Sequence, residues 1–383
     1  MIYRFQLLHE PAPISERTIV VSPGDRKSHL ETPSLCLDLS LFEANISHVA
    51  AITHAAGKSW RPHTACHKSP DIANLQIRNG AIGITCAKIS EAEVFASAGI
   101  HEILLAHPPV GDARIRRIAN LCRHVNLIVA CDHYVQAAPL SAECVRQGVN
   151  CRALVDINIG MDRTGVRPGR DARELARAID QLPGLTLAGI MGYEGHVLQI
   201  KHAEEKRRQT DAALGILTQT RDIFLKNGLC CDIVSATGTG SLENSLRCDG
   251  LTEVQAGGAI FGDPLHTATP DITHLKPALT VLTTVVSRPA FDRAVLDAGR
   301  TAVSNERHPP VVKDWSDASL GPQSAEHLVL DLGPSSRELR IGDRVELIVG
   351  DSGFTTMLHD EYLCFRNDRL ETIWPVLARG KLQ

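Results

Sequence analysis

The sequence predicts an α/β protein, a (β/α)8 TIM-type barrel followed by a C-terminal antiparallel β-domain. Two observations carry this prediction. Strand-like and amphipathic helix-like runs alternate from about residue 32 to residue 270, and only short strand-like runs follow them. Buried parallel strands joined by helices form either an open doubly wound sheet or a barrel. Eight or nine units in about 240 residues match the usual size of a barrel.

The barrel strands are predicted as apolar runs, at 59–66, 80–87, 102–107, 125–131, 152–159, 185–192, 231–236 and 252–261. The helices are predicted as amphipathic runs, at 41–56, 70–79, 90–99, 112–123, 133–147, 169–181 and 203–227. The run 34–39 makes one strand too many, so we expect it to lead into the barrel rather than to belong to its ring.

Some helix boundaries have a local cause. Ser69 before Pro70 is predicted to be an N-cap with proline at the first helical position. Ser90 and Glu93 have the spacing of a capping box. Gly148 stands where helix 133–147 should end, at a position that favours a left-handed residue.

The alternation of strand-like and helix-like runs ends at about residue 270. Short strand-like runs follow, at 277–286, 293–297, 327–331, 343–349, 355–365 and 370–374, and a long loop is predicted over 301–325. We therefore divide the chain into three parts: an N-terminal segment 1–30 packed with the β-domain, a barrel over 31–270 that binds the cofactor, and the β-domain over 271–383.

Composition narrows the classes of function. The 43% of hydrophobic residues suit a globular protein with a real core, and the net charge of -4 argues against a nucleic-acid or anionic-membrane partner. No apolar run is long enough to span a membrane, and the N-terminus lacks the layout of a signal peptide. The eleven cysteines are scattered without C-x-x-C spacing, which indicates reduced thiols in a cytoplasmic protein.

The segment 61–68 reads Arg-Pro-His-Thr-Ala-Cys-His-Lys and ends an early strand, where a barrel carries its chemistry. Strand alternation predicts that His63, Ala65 and His67 share one face and that Thr64, Cys66 and Lys68 share the other. On this pattern Lys68 cannot replace a lysine at position 65. We expect Lys68 to begin a solvated helix.

This segment resembles the R-P-H-x-K-T-H-K pattern of the fold-type-III pyridoxal-phosphate enzymes, in the branch of D-threonine aldolase, 3-hydroxy-D-aspartate aldolase and D-serine dehydratase. The resemblance implies cofactor contact by His63 and places Ala65 where the family's Schiff-base lysine stands. That lysine is the residue normally removed to trap a substrate on the cofactor, so we interpret Ala65 as an inactivating substitution. Natural loss of the lysine is the alternative.

The segment 156–166 reads Asp-Ile-Asn-Ile-Gly-Met-Asp-Arg-Thr-Gly-Val and resembles the family's D-x-G-M-x-R-x-G-V pattern. The resemblance implies that Arg163 faces the cofactor ring nitrogen, where a permanent cation keeps that nitrogen unprotonated. The alternative is a structural arginine paired with Asp156 or Asp162.

The segment Tyr193-Glu194-Gly195-His196 follows the strand 185–192 and resembles the aldolases' Y-x-G-H. The resemblance implies that Tyr193 contacts the cofactor and that His196 lies beside the substrate's β-hydroxyl. A neutral histidine suits that place because its pKa lies near working pH. The alternative is an ordinary hydrogen-bonding histidine.

Two glycine-containing runs resemble the family's phosphate pocket. They supply backbone N–H groups and hydroxyls from Thr237, Gly238, Thr239, Gly240 and Ser241, and from Gly257 and Gly258. The family's tyrosine after the second run is Ala259 here, a departure that can widen the pocket.

The family's H-x-D or H-x-C metal pair is changed. Asp351 replaces the histidine and Gly353 the second ligand, so Asp351 is the only candidate at these positions. A glycine has no side chain to ligate with, which puts a divalent metal in doubt. His359, Asp360 and Glu361 could be substitute ligands, or charged residues at a hairpin end.

The resemblance covers about Thr32 to Gly380 and implies pyridoxal phosphate, a small amino-acid substrate and a homodimer. The leading hypothesis is a lyase that cleaves or dehydrates a D-configured β-hydroxy amino acid. A metal-free racemase or epimerase is one alternative. A non-catalytic protein that binds the cofactor or an amino acid is the other.

Overall fold

The computed structural model describes residues 21–267, 272 and 274–383. Within these residues, eight parallel strands curl into a barrel and nine strands form a mostly antiparallel sheet. The predicted fold class is therefore confirmed. The predicted N-terminal segment lies outside the described residues up to Val20. From Val21 to Leu30 the chain packs on the antiparallel sheet, where the Gly24 N–H donates to the Leu370 carbonyl.

The barrel is short-stranded. The first strand of the chain, β1 (Ser34–Asp38), belongs to the other sheet. The barrel strands are β2 (Ser59–Trp60), β3 (Ile84–Cys86), β4 (Glu102–Leu105), β5 (Asn126–Cys131), β6 (Cys151–Ile157), β7 (Leu185–Gly192), β8 (Ile233–Ala236) and β9 (Glu253–Val254). Parallel bridges from Trp60 to Ala81 and from His63 to Thr85 close the ring between β2 and β3.

The helices cover the outside of the barrel, with three short ones near its C-terminal end. They are α1 (Leu39–Ala55), α2 (Pro70–Arg78), α3 (Ile89–Ser97), α4 (Asp112–Leu121), α5 (Tyr134–Gln147), α6 (Arg170–Asp180), α7 (Ala203–Lys226), α8 (Leu242–Ser245), α9 (Pro264–Thr267) and α10 (Ser352–Thr356). None of the helices in the described part of the chain is long and apolar enough to cross a membrane.

The β-domain has β1 at its centre. Its other strands are β10 (Leu279–Ala290), β11 (Arg293–Leu296), β12 (Val311–Val312), β13 (Ser319–Gln323), β14 (Leu328–Asp331), β15 (Arg344–Ile348), β16 (Glu361–Arg366) and β17 (Arg369–Pro375). Strand β1 pairs antiparallel with β10 and parallel with β16. As expected, the run 34–39 stays out of the barrel ring.

Two apolar layers hold the barrel. Inside the ring, a small cluster fills the centre, formed by Leu104, Ile128, Ala130, Leu154, Ala188, Met191 and Ile233. Outside it, a large continuous cluster joins the strands to the helices and runs on into the β-domain. Burial of this apolar surface is the main force that fixes the carboxyl ends of the strands relative to one another.

Of the three predicted helix boundaries, two were right and one was wrong. Helix α2 begins at Pro70 after Ser69, although Ser69 makes no side-chain capping bond. Gly148 ends α5 with φ 65°, as predicted. The predicted Ser90–Glu93 capping box was wrong, because α3 begins at Ile89 and Glu91 caps it by accepting the N–H groups of Ala87 and Lys88.

Three predicted segments near the site differ. The strand predicted over 59–66 ends at Trp60, because Pro62 has no N–H for the ladder, and residues 64–66 form a 3-10 turn. The strand predicted over 252–261 stops at Val254, and 258–261 is also a 3-10 turn. The strand predicted over 355–365 begins only at Glu361, because Asp351 caps the short helix α10.

The predicted loop 301–325 also contains structure. Strands β12 and β13 lie within it, and β12 pairs with β15 while β13 pairs with β14. Backbone pairing with neighbouring strands stabilises these short runs within a largely polar segment.

Candidate active site

A cavity of about 680 Å³ opens at the carboxyl ends of the barrel strands, against α10 of the β-domain. Most of the residues expected at the site line it, namely His63, Ala65, Arg163, Tyr193, Thr237, Gly238, Thr239, Gly257, Gly258 and Asp351. Of the expected residues, His196, Gly240 and Ser241 are not on its wall within the described part of the chain. A barrel places its chemistry at this end, so the cavity is the candidate active site.

The turn at 64–66 shapes one side of the cavity. The His63 Nδ1 atom accepts the Ala65 N–H at 3.1 Å and so caps the turn. Burial lowers the pKa of His63 to about 4, so the ring is neutral near pH 7. Because Nδ1 is an acceptor, the neutral ring carries its proton on Nε2.

The predicted alternation of faces was wrong. Because the chain turns after His63, residues 63, 65, 66 and 68 all line the cavity. The expectation of a solvated Lys68 was also wrong. Its backbone is left-handed, with φ 51°, and its ammonium forms a buried ion pair with the Glu91 carboxylate.

Arg163 lies over the ring of Tyr193, with 5.7 Å between the guanidinium carbon and the ring centroid. This is the geometry of a cation–π contact. No salt bridge joins Arg163 to Asp156 or Asp162, both of which are described. Asp156 instead accepts the Thr164 hydroxyl at 2.9 Å, and burial raises the pKa of Asp156 to about 6.

Two tight turns form a cradle beneath Tyr193. A Cβ on Gly238 would lie 3.0 Å from the Tyr193 ring, and one on Gly257 would lie 2.0 Å from the His63 carbonyl oxygen. Side chains at these positions would fill the space that the backbone leaves open. Thr237 and Thr239 add hydroxyls to the same wall. Backbone N–H groups of glycine-containing turns and threonine hydroxyls are the donor types that a phosphate requires.

Ser241 is engaged elsewhere. Its hydroxyl donates to the Glu194 carboxylate at 2.5 Å, away from the cavity wall. Burial raises the pKa of Glu194 despite this hydrogen bond. Ser241 therefore positions the loop under the cradle through Glu194.

His266 was not predicted and belongs to the cradle. It lines the cavity beside Gly258, where an added Cβ would lie 3.1 Å from the ring. Its Nδ1 lies 2.5 Å from Asp263, and Asp263 also accepts the Ser352 N–H and hydroxyl. The only sequence signal was its place shortly after the glycine run, on a helix too short to show a pattern.

His196 lies behind the wall. Its ring packs on Gly160, where an added Cβ would lie 3.1 Å from Nε2. Its Nδ1 is buried and has no hydrogen-bond partner. An unsatisfied buried nitrogen is costly, but in this structure the atom lies off the cavity wall.

The donors at 351 and 353 do not fit a divalent cation. Asp351 caps α10 with Oδ1, which accepts the Gly353 and Phe354 N–H groups at 3.0 and 3.4 Å, and its Oδ2 faces Arg307 at 3.5 Å. In the described part of the chain, no group of three His, Cys, Asp or Glu residues could hold a metal ion.

The substitute ligands considered for a metal point elsewhere. The His359 Nε2 atom lies 2.7 Å from the Ala302 carbonyl, and Asp360 pairs with Arg379. Glu361 begins strand β16 and is exposed. These three residues fit the alternative of charged residues at a hairpin end.

The residues do fit pyridoxal phosphate. The cradle would hold the phosphate, and Arg163 with Tyr193 would flank the ring. Ala65 stands on the cavity wall without an amine, so this chain offers no lysine at that position for a covalent link.

Comparison with known proteins gives two family matches. Residues 37–264 match the family described as alanine racemase, N-terminal domain, and residues 278–365 match the putative serine dehydratase domain. The chain is 33% identical over 360 residues to D-threonine aldolase of Arthrobacter sp, covering 94% of this chain and 95% of the relative.

It is 34% identical over 368 residues to 3-hydroxy-D-aspartate aldolase of Paracoccus denitrificans (strain Pd 1222), with the same coverage of 94% and 95%. Among solved structures, D-threonine aldolase of Filomicrobium marinum superposes with a TM-score of 0.92 at 31% identity. That superposition covers 95% of this chain and all of the other.

Proposed function

The chain belongs to the alanine racemase-like family that includes D-threonine aldolase and 3-hydroxy-D-aspartate aldolase, and we propose that its cavity is built for a pyridoxal-phosphate-dependent lyase. The substrate is a D-configured β-hydroxy amino acid, which is cleaved by a retro-aldol reaction or dehydrated. We further propose that Ala65 inactivates this chain. The observation that carries the proposal is that Thr237, Gly238, Thr239, Gly257 and Gly258 line one cavity with Ala65 and Arg163.

Each part of the cavity has a task in this proposal. Residues 237–239 and 257–258, with His266, hold the phosphate, and Ser241 supports the first of these turns through Glu194. Arg163 faces the ring nitrogen and keeps that nitrogen unprotonated. When bound, pyridoxal phosphate supplies an electron sink for the negative charge that develops on a substrate carbon.

Two histidines have different roles, one as a hydrogen-bond donor and the other as a proton acceptor. His63 has a lowered pKa and an occupied Nδ1, so it offers an N–H donor to the cavity rather than a base. His196 has an unsatisfied Nδ1 and is the residue that accepts the β-hydroxyl proton.

Two other functions each have an observation in their favour. The donor set at Asp351 and Gly353 does not fit a metal, which favours a metal-free racemase or epimerase. That enzyme would exchange the α-hydrogen without releasing an aldehyde or keto acid. Ala65 itself favours a non-catalytic protein that binds the cofactor or an amino acid.

The test restores the amine. Ala65→Lys should form a covalent cofactor adduct, detected by a shifted absorbance band and by the added mass after borohydride reduction. Ala65→Met is the matched control, because it adds a similar length without an amine. The chain as it stands and Ala65→Met should take up pyridoxal phosphate without a covalent bond.

In a second experiment, each variant is titrated with D- and L-β-hydroxy amino acids. In the lysine variant, a D-isomer should release an aldehyde if the enzyme is an aldolase, or a keto acid and ammonia if it is a dehydratase. Exchange of the α-hydrogen alone would identify the racemase. No adduct in a folded Ala65→Lys protein would refute the assignment.

Quaternary structure and location follow the family expectation. We propose a homodimer in which the β-domain of one subunit completes the cavity of the other, and a cytoplasmic protein without a nucleic-acid or membrane partner. The scattered thiols support the cytoplasmic location, the net charge of -4 argues against a nucleic-acid partner, and the homodimer rests on the family alone.

A further inference from the structure

Arg307 stands at the mouth of the cavity with its hydrogen-bonding capacity unused. Its side chain is 45% exposed and lines the cavity wall. Among the described residues its one salt-bridge partner is Asp351, at 3.5 Å, which is too long for a hydrogen bond. In the described part of the chain the guanidinium donates no hydrogen bond, so five N–H donors are available to a ligand.

The protein backbone holds this arginine in place. The Ser304 N–H donates to the Thr355 hydroxyl of α10 at 3.2 Å, and Gly350 packs closely under the carbonyls of His308 and Pro309. Asp351 caps the same short helix. The loop that carries Arg307 is therefore tied to the element that carries its carboxylate partner.

This pair also lies beside the reacting position. A Cβ on Gly353 would be 3.8 Å from the Cys66 Cα and 3.9 Å from the Ala65 carbonyl oxygen. The helix that Asp351 caps therefore lies beside Ala65, and its residue Ser352 also bonds to Asp263, which contacts His266 of the phosphate cradle.

The cavity wall carries the arginines Arg163 and Arg307 and the aspartates Asp156 and Asp351. Arg163 and Arg307 both line it, and both lie close enough to Tyr193 to lower its pKa against the larger, raising effect of burial. The phosphate has its own cradle, and an amino acid brings one α-carboxylate. A second carboxylate on the substrate could accept the Arg307 N–H groups, which make no hydrogen bond to Asp351 at 3.5 Å.

We propose that Arg307, held by Asp351, binds the side-chain carboxylate of a dicarboxylic β-hydroxy amino acid and so sets the substrate class. This inference rests on the proposed function, because it assumes that the cavity takes an amino acid. Arginine suits the task, since its planar fork matches a carboxylate with two parallel hydrogen bonds.

The test compares two substrates that differ in the second carboxylate. The chain with Ala65, saturated with pyridoxal phosphate, is titrated with 3-hydroxy-D-aspartate and with D-threonine, and the dissociation constants are read from the cofactor absorbance. Reaction of each amino acid with free cofactor is subtracted. Arg307→Met should raise the dissociation constant of 3-hydroxy-D-aspartate about 10- to 100-fold and change that of D-threonine less than about threefold.

Two control variants sharpen the result. Arg307→Lys keeps the charge but loses the fork, so it should recover part of the affinity for the dicarboxylate. Arg208→Met removes an exposed arginine from the outer helix α7, where it pairs with Glu205, and should leave both constants unchanged. Arg307 is half exposed, so its replacement should not disturb folding.

Three outcomes would overturn the assignment. Equal weakening of both amino acids would place Arg307 on the α-carboxylate, no change would leave it without a ligand, and weaker pyridoxal phosphate binding would place it on the cofactor. The same titrations by calorimetry without cofactor separate the two proposals. If pyridoxal phosphate never binds but Arg307→Met still loses affinity for the dicarboxylate alone, the proposed function fails and the assignment of Arg307 stands.

Discussion

The buried ion pair between Lys68 and Glu91 permits a quantitative prediction. Only 9% of the Lys68 side chain and 1% of the Glu91 side chain are exposed. Lys68→Met would keep the length of the side chain and leave the Glu91 carboxylate buried without its cation. That carboxylate would retain the N–H groups of Ala87 and Lys88, at 3.1 and 3.2 Å.

The magnitude follows from this partial compensation. Removing one partner of a buried ion pair costs about 3–5 kcal/mol, because an uncompensated charge remains. Two backbone donors stay in place, so we expect Lys68→Met to lose about 3 kcal/mol of the free energy of unfolding. The double variant Lys68→Met/Glu91→Gln buries no charge at this place and should recover about 1–2 kcal/mol of that loss.

The assay is urea unfolding followed by circular dichroism, with all variants in one buffer. Arg146→Met is the control, because Arg146 pairs with Glu143 on the exposed face of α5 and should leave unfolding unchanged. A loss below about 1 kcal/mol for Lys68→Met would refute the reasoning, since the pair would then behave like one in water.

Two further predictions concern neighbouring residues. Burial, with a contribution from Lys68, lowers the pKa of His67 to about 3, so between pH 6.5 and 3 the unfolded chain binds a proton that the native chain does not. Stability should fall by up to about 1.4 kcal/mol per pH unit as pH drops through that window, and His67→Gln should flatten the acid limb of unfolding measurements by about one proton; an unchanged limb would contradict this. In the cradle, Gly257→Ala would place its Cβ 2.0 Å from a backbone oxygen and should lower the melting temperature or prevent folding. Gly258→Ala would meet only the His266 and Thr239 side chains, at 3.1 and 3.4 Å, and should keep its melting temperature while weakening pyridoxal phosphate binding in equilibrium dialysis; equal melting temperatures for the two variants would contradict the prediction.

The fold was predictable because burial leaves a pattern in the sequence. The strands from β4 to β8 are apolar runs with buried residues on both faces, and the helices between them are amphipathic. The same logic kept the run 34–39 out of the ring, because the ring already had eight strands.

The site was predictable as a set of positions but not as a geometry. The residues 61–68 were found as a motif, yet strand alternation failed for them because Pro62 and the His63 cap turn the chain. Arg307 lies in a predicted loop and His266 on a four-residue helix, and neither has a periodic pattern to reveal it. Their roles depend on long-range contacts, which a local pattern does not contain.

The position of β1 makes the β-domain a discontinuous unit. Its central strand is made first, at the beginning of the chain, and its neighbours β10 and β16 are made only after the whole barrel. A fragment that starts near residue 271 would lack the strand that joins its halves and would expose two unpaired strand edges, which invite aggregation. In the order of the chain, the barrel is thus an insertion between β1 and the other strands of that sheet. We therefore expect that neither domain can be exchanged or expressed without the other.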